Sequence, residues 1–201
     1  MSARLTLLVH AATPSVRAAA FPRIDEPPDA HGTADAAALR GALPRATRAL
    51  RAPDAACAGT AAALGIDAAF GIDAAFGIDA APDERLRGWD PGRWAGRTLD
   101  DVLAAEPDAV ATWMSDPAAA PHGGESLVAL LDRVAALLAG AEPGHTFAVT
   151  GAAVARAAVV VATGAPASAF WRIDAAPLTV TDLRGGPDRW TVRATGATLA
   201  S

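Results

Sequence analysis

Leu5-Thr6-Leu7-Leu8-Val9-His10 sets a short, almost wholly apolar run directly in front of a histidine. Successive side chains of a strand point to opposite faces, so an apolar residue at nearly every position predicts a strand buried on both faces of a parallel sheet. His10 then stands at that strand's carboxyl end. Residues 11–32 hold Pro14, Pro22, Pro27, Pro28 and Gly32. Proline fixes φ and removes an N–H, so this stretch reads as a loop, followed by a helix at 34–43. A second strand is expected at 47–51 and an Ala-rich helix at 53–64.

Farther along, Thr98 fits a helix N-cap with Asp101 three positions on, a variant of the capping box. Another helix opens with Glu125 and Ser126, carries Leu127, Leu130, Leu131, Val134, Leu137 and Leu138 as one apolar stripe, and ends at Gly140. Glu125 reads there as a first-turn carboxylate that complements the helix dipole. Residues 146–150 read as a second buried strand, Gly151 as a tight turn, and 152–163 as a helix stopped by Gly164 and Pro166. Segments 178–183 and 190–193 flank Gly185-Gly186-Pro187 as a hairpin. Strands alternating with helices predict an α/β layered fold with a largely parallel sheet. Gly65-Ile-Asp-Ala-Ala-Phe70 recurs at 71–76 and begins again at 77–81. Copies of six residues cannot each bury a face on a neighbour, so the repeat reads as local expansion of a connection.

The 201 residues are 52% hydrophobic and 19% charged, which suits one compact domain over 1–201. Alanine supplies roughly a quarter of the chain and tyrosine is absent, so the core is expected to be lightly packed. Seventeen arginines, no lysine and a net charge of -5 leave no basic face to follow nucleic-acid phosphates. No lysine also means no usual phosphate-binding P-loop, and no glycine-rich dinucleotide fingerprint follows the first strand. Cys57 stands alone, which excludes an internal disulfide and cysteine-clustered metal sites and suits a reducing cytoplasm. It reads as an inert structural thiol. The N-terminus lacks a long signal-peptide core, and no run of 18 apolar residues occurs, so the chain reads as soluble without a membrane partner.

His10, His31, His122 and His145 show no two-histidine spacing on one helix face, so no metal and no cofactor is expected. Trp89, Trp94, Trp113, Trp171 and Trp190 read as core or surface anchors. His10 differs, because Thr13 and Arg17 follow at close range. A neutral imidazole can attack phosphorus while a guanidinium holds non-bridging oxygens, although an isolated histidine at a strand end is more often structural.

The whole chain resembles the histidine phosphatase superfamily, its phosphoglycerate mutase-like branch. Leu7-Leu-Val-His-Ala-Ala-Thr13 resembles the opening strand and Arg-His-Gly-x-Thr/Ser motif, and residues 53–65 keep Pro53, Thr60 and Ala61 of Ser-Pro-x-x-Arg-x-x-Gln-Thr-Ala. Leu86-Arg-Gly-Trp-Asp-Pro-Gly-Arg-Trp-Ala-Gly96 resembles Leu-Arg-Glu-x-Asp-x-Gly-x-Trp-x-Gly, and Pro121-His-Gly-Gly-Glu-Ser-Leu127 resembles Pro-x-Gly-Gly-Glu-Ser. Val149-Thr-Gly-Ala-Ala-Val-Ala-Arg156 is similar to Val-Ser/Thr-His-Gly-Gly-Val-Ile-Arg. The resemblance implies a three-layer α/β/α fold with a mostly parallel central sheet. It also implies phosphomonoester hydrolysis through phosphohistidine at His10, with Thr13, Arg17, His122 and Gly151 around the phosphate or ligand.

Four expected groups differ. Val9 stands for the Arg before the nucleophile, Ala56 for the second-motif Arg, Gly88 for the acid's carboxylate and Gly151 for the second His. Arg17 is one substitute for an anion-binding Arg, and Asp90, Glu84 or Glu125 for the acid. Losing one preorganised donor costs about 10²–10³ in rate, so weak or absent turnover is expected. Two readings follow: a phosphatase of small phosphate esters using His10, or a degenerate member that binds a less charged small ligand or a protein, or runs an altered reaction.

Overall fold

The computed structural model describes residues 2–66, 80–186 and 189–199. Six strands form one sheet in the order β3-β2-β4-β1-β5-β6. They are β1 (Ala3–Val9), β2 (Arg48–Arg51), β3 (Ala80–Pro82), β4 (Gly144–Thr150), β5 (Thr179–Gly186) and β6 (Arg189–Thr198). The first four are mutually parallel, whereas β5 runs antiparallel to both β1 and β6. The sheet is therefore mixed, with the hairpin expected near 185 supplying its antiparallel edge. Pro187 and Asp188 at its tip lie outside the described residues.

β1 occupies the middle, with Leu5 opposite Thr146 and Val9 opposite Thr150 on β4. Leu5, Leu7, Leu8 and Val9 are all buried, which is why the run is apolar at nearly every position. Helix α2 (Ala30–Ala38) packs on α3 (Ala55–Leu64), and α6 (Leu127–Ala139) on α7 (Ala152–Thr163), giving the layers on the sheet. One contiguous core joins Leu7, Leu64, Leu86, Leu130, Leu138, Phe147, Phe170 and Leu183. Alanines 49, 61, 148, 157 and 158 are buried within it, on α3, α7 and the sheet, where small side chains let backbones approach closely.

The stripe at 127–138 forms α6, with Ser126 as N-cap accepting from Ala129 N at 3.2 Å and Gly140 as C-cap. α7 ends at Gly164, whose φ of 64° is left-handed. Thr98 caps α4 (Leu99–Ala105) as its spacing predicts, and α5 (Pro107–Ser115) follows. α2 begins earlier than the expected 34. Asp29 caps it by accepting from Gly32 N at 2.6 Å, and Gly32 is a contact glycine rather than a breaker, since a Cβ there would collide with the Ala12 carbonyl. A one-turn helix α1 (Pro14–Arg17) interrupts the preceding loop.

Trp94, Val102 and Val110 make a separate cluster with Phe21, Ala109 and Trp113. Phe21 N donates to Arg97 O, and Gly96 N to Phe21 O, each at 2.9 Å, so the loop after β1 is stitched to the segment that carries α4 and α5. The repeat from Gly65 onward lies outside the described residues apart from its ends, where Gly65 caps α3 and Ile66 is buried. No helix among the described residues is long and apolar enough to cross a membrane.

Candidate active site

All four parallel strands deliver their carboxyl ends to one cavity of about 480 Å³. β1 leads to His10, β2 to Asp54, β3 through the turn at 84–86 to Gly88 and Trp89, and β4 to Gly151; all five line it. Two buried hydroxyls fix these ends. Thr60 Oγ1 accepts from Ala11 N at 2.9 Å and donates to Ala56 O at 2.7 Å, while Thr150 Oγ1 donates to Leu86 O at 2.7 Å.

His10 Nδ1 lies 2.8 Å from Ala11 O. A carbonyl only accepts, so the proton sits on Nδ1 and Nε2 keeps its lone pair. Burial lowers the His10 pKa from its ordinary 6.5, against the opposing pull of the Ala11 carbonyl and of Asp54 and Glu26. The ring is therefore neutral at neutral pH, with the Nε2 lone pair that a nucleophilic role requires.

Asp54, which the sequence reading passed over, is the second chemical group. Its Oδ2 accepts from Gly88 N at 2.7 Å, and a side chain at 88 would begin 3.4 Å from that oxygen. A Cβ at 151 would touch Gly88 Cα at 3.7 Å. Burial raises the Asp54 pKa above its ordinary 3.8, opposed by the Gly88 N–H and the charge of His10. Asp54 thus sets a readily protonated carboxyl beside the Gly88 and Gly151 positions, facing the same cavity as His10.

Arg156, one turn into α7, is the third. It lines the main cavity and also a smaller hollow beneath His10. Its Nε is buried without a hydrogen-bond partner and its guanidinium lies 6.0 Å from the Phe170 ring centre. Among the described residues it makes no salt bridge, whereas the lining Arg23 and Arg87 pair with Asp25 and Glu125. At the start of α7, Gly151 offers no side-chain cap, and Ala152 and Ala153 line the cavity, an arrangement of backbone N–H groups suited to an anion.

The remaining expected residues divide. Thr13 lines the cavity, but its hydroxyl caps α1 by accepting from Val16 N at 3.3 Å. Glu26 behind it is pushed up by burial yet held below its ordinary range by hydrogen bonds from Ser15 and Thr13. Arg17 is not brought to the cavity; its exposed guanidinium is paired with Asp29. His122 lines the cavity as part of its wall: it is buried, its Nδ1 accepts from Gly124 N at 2.9 Å, and Trp94 packs 5.0 Å away. Burial also keeps it neutral.

Glu125 is excluded as the acid. It precedes the Ser126 N-cap instead of standing in the first turn, and Arg133 grips both its oxygens at 2.9 and 2.7 Å while Arg87 adds a third bond at 3.2 Å. Glu84 is outside the lining, and Asp90 Oδ1 accepts from Gly92 N at 2.9 Å. Cys57 is buried, and desolvation lifts its pKa well above the ordinary value, as an inert thiol requires. Trp94 and Trp190 are core residues, while Trp89, Trp113 and Trp171 pack against the core and also line the cavity.

A family model for the histidine phosphatase superfamily (branch 1) matches residues 6–198. The chain belongs to that superfamily. Solved structures agree on the fold of this histidine phosphatase relative: "Mycobacterial hydrolase 1" aligns with a TM-score of 0.81 at 24% identity over 98% of this chain and 100% of that one. Mycobacterial glucosyl-3-phosphoglycerate phosphatase aligns with a TM-score of 0.82 at 22% identity, with the same coverage of each. Among curated proteins, the glucosyl-3-phosphoglycerate phosphatase of Mycolicibacterium vanbaalenii is 49% identical over 51 residues, spanning 25% of this chain and 23% of that protein. His10 and Asp54 both line the cavity, with Asp54 held against Gly88 by the bond from Gly88 N.

Proposed function

We propose that the protein hydrolyses small phosphate monoesters through a phosphohistidine on His10. The observation that supports this most is the locked tautomer: Nδ1–H is committed to the Ala11 carbonyl, leaving Nε2 to attack. In the first step the Nε2–P bond forms, the ester P–O bond breaks, and protonated Asp54 gives its proton to the departing alkoxide. In the second, the Asp54 carboxylate takes a proton from water as its oxygen attacks phosphorus, the N–P bond breaks, and orthophosphate leaves. Arg156 and the N–H groups at the start of α7 hold the non-bridging oxygens. Ala56 and Gly151 supply no side-chain cation or donor. Turnover is therefore expected to be slow, below the roughly 10 s⁻¹ of a typical enzyme. A reducing, cytoplasmic setting fits the lone cysteine.

The test is hydrolysis of 4-nitrophenyl phosphate by the wild type beside His10→Ala at high enzyme concentration, with acid-labile phosphoprotein trapped by rapid quench. Activity and trapped phosphate that both vanish with His10 support the proposal. Equal rates in the two proteins, or rates at the buffer blank, refute it and leave the binding-protein reading.

A further inference from the structure

The cavity is too large for phosphate alone and falls in the range that holds a drug-sized ligand. Away from the strand ends its lining is aromatic. Trp113 and Trp171 meet edge to face with centroids 4.7 Å apart, Trp89 stacks on Trp113 at 5.3 Å, and Phe170 lies 5.4 Å from Trp89 and 5.1 Å from Trp171. Phe21 joins at 5.6 Å from Trp113. All five rings line the cavity. The rings touch in series, and two are fixed from behind: Trp89 Nε1 donates to Glu125 O at 2.6 Å, and Phe170 is fully buried against Trp89 and Trp171.

Charge points the same way. Glu26, Asp54 and Asp90 face the cavity, and the lining cations other than Arg156 are already paired. Arg156 lines the same two hollows as His10, where the proposed reaction places the phosphoryl group. A substrate with a carboxylate beyond its phosphate would meet Glu26 and Asp90, would have to draw Arg23 or Arg87 away from its present partner, and would leave the rings in contact with a charged group. A flat uncharged group would cover them.

Resting on the phosphatase reading above, we infer that the alcohol half of the substrate is an uncharged aromatic group packed on the Trp89–Trp113–Trp171 wall. The site then selects phosphate monoesters of aromatic alcohols over phosphorylated sugar acids.

The test compares 2-phenylethyl phosphate, ethyl phosphate and 3-phosphoglycerate, all with alkyl leaving oxygens, so that intrinsic reactivity is similar. Burial of a phenyl group is expected to raise kcat/KM about 100-fold over ethyl phosphate, mostly through KM. Trp171→Ala and Trp113→Ala are each expected to lower that ratio about tenfold. A flat ratio, or 3-phosphoglycerate hydrolysed as well as the phenyl ester, overturns the inference.

Binding of the non-hydrolysable 3-phenylpropylphosphonate, read by tryptophan fluorescence against propylphosphonate, separates the two layers of argument. Preferential binding of the phenyl compound with no turnover of any ester supports the aromatic site and refutes the catalytic reading. Turnover without that preference supports catalysis and refutes the aromatic site.

Discussion

Replacing Asp54 by Asn removes the proton and keeps the architecture. Asn retains an acceptor for Gly88 N, the 2.7 Å bond that places the group, and adds no bulk. Positioned general acids contribute about 10²–10⁴ in rate, or roughly 2.7–5.5 kcal/mol, when the leaving group needs a proton. Hydrolysis of 2-phenylethyl phosphate should therefore fall at least 100-fold. 4-Nitrophenyl phosphate, whose phenolate departs without protonation, should lose no more than about tenfold in its first step.

The pH profile supplies a second signature. His10 must be neutral, and its pKa is lowered from 6.5; Asp54 must be protonated, and its pKa is raised from 3.8. Wild-type kcat/KM on the alkyl ester should therefore be bell-shaped, with an acid limb below 6.5 set by His10 and an alkaline limb above 3.8 set by Asp54, the apparent values belonging to the pair. Substrate ionisation is common to both proteins and cancels in their ratio. The variant should lose the alkaline limb.

Folding is checked separately. A carboxyl with a raised native pKa contributes stability that is fully present below its unfolded pKa and is lost as pH rises through the native one. Asp54→Asn should consequently melt no lower than wild type at pH 7, with any advantage fading below about 3.8. Equal losses on both esters, or an alkaline limb that persists, would refute the assignment of Asp54.

Three other outcomes follow from the same geometry. Gly88→Glu in the Asp54→Asn background should restore at least tenfold of the lost alkyl-ester activity, because position 88 adjoins the Asp54 carboxyl and Gly151 leaves space beside it; the assay is the same steady-state kcat/KM. Arg156→Gln should abolish the thermal shift that millimolar vanadate gives the wild type, since it removes the lining guanidinium without an acidic partner. Glu125→Ala should cost about 3 kcal/mol and lower Tm by roughly 6–12 °C by calorimetry, because it strips Arg133 of both carboxylate bonds in a largely buried pair.

The fold was legible because its elements announce themselves locally. Leu5 to Val9 is apolar on both faces, the stripe on α6 repeats at helical spacing, and Ser126, Thr98 and Gly164 sit at the positions their backbone roles demand. Where local signs misled, a distant contact was responsible: Gly32 looked like a breaker but is required by the approach of Ala12, and Glu125 looked like a first-turn carboxylate but answers to Arg87, 38 residues away in sequence.

The place of His10 at a strand end on the cavity was legible and that of Asp54 was not, for the same physical reason. A nucleophile at a strand end is marked by the strand, whereas an acid is defined by what its carboxyl faces, and Asp54 and Gly88 are 34 residues apart. Comparing motifs position by position finds a carboxylate missing at 88 and leaves the search there. A carboxyl can enter the same space from β2 instead of β3, because both strands end on the cavity and their following segments touch. Small residues at 56, 88 and 151 then have two effects at once. On the proposed reading they offer no side-chain donor to the phosphoryl group and add no bulk between His10 and the aromatic wall, so the same small residues that would slow phosphoryl transfer would leave room for a bulky apolar ester.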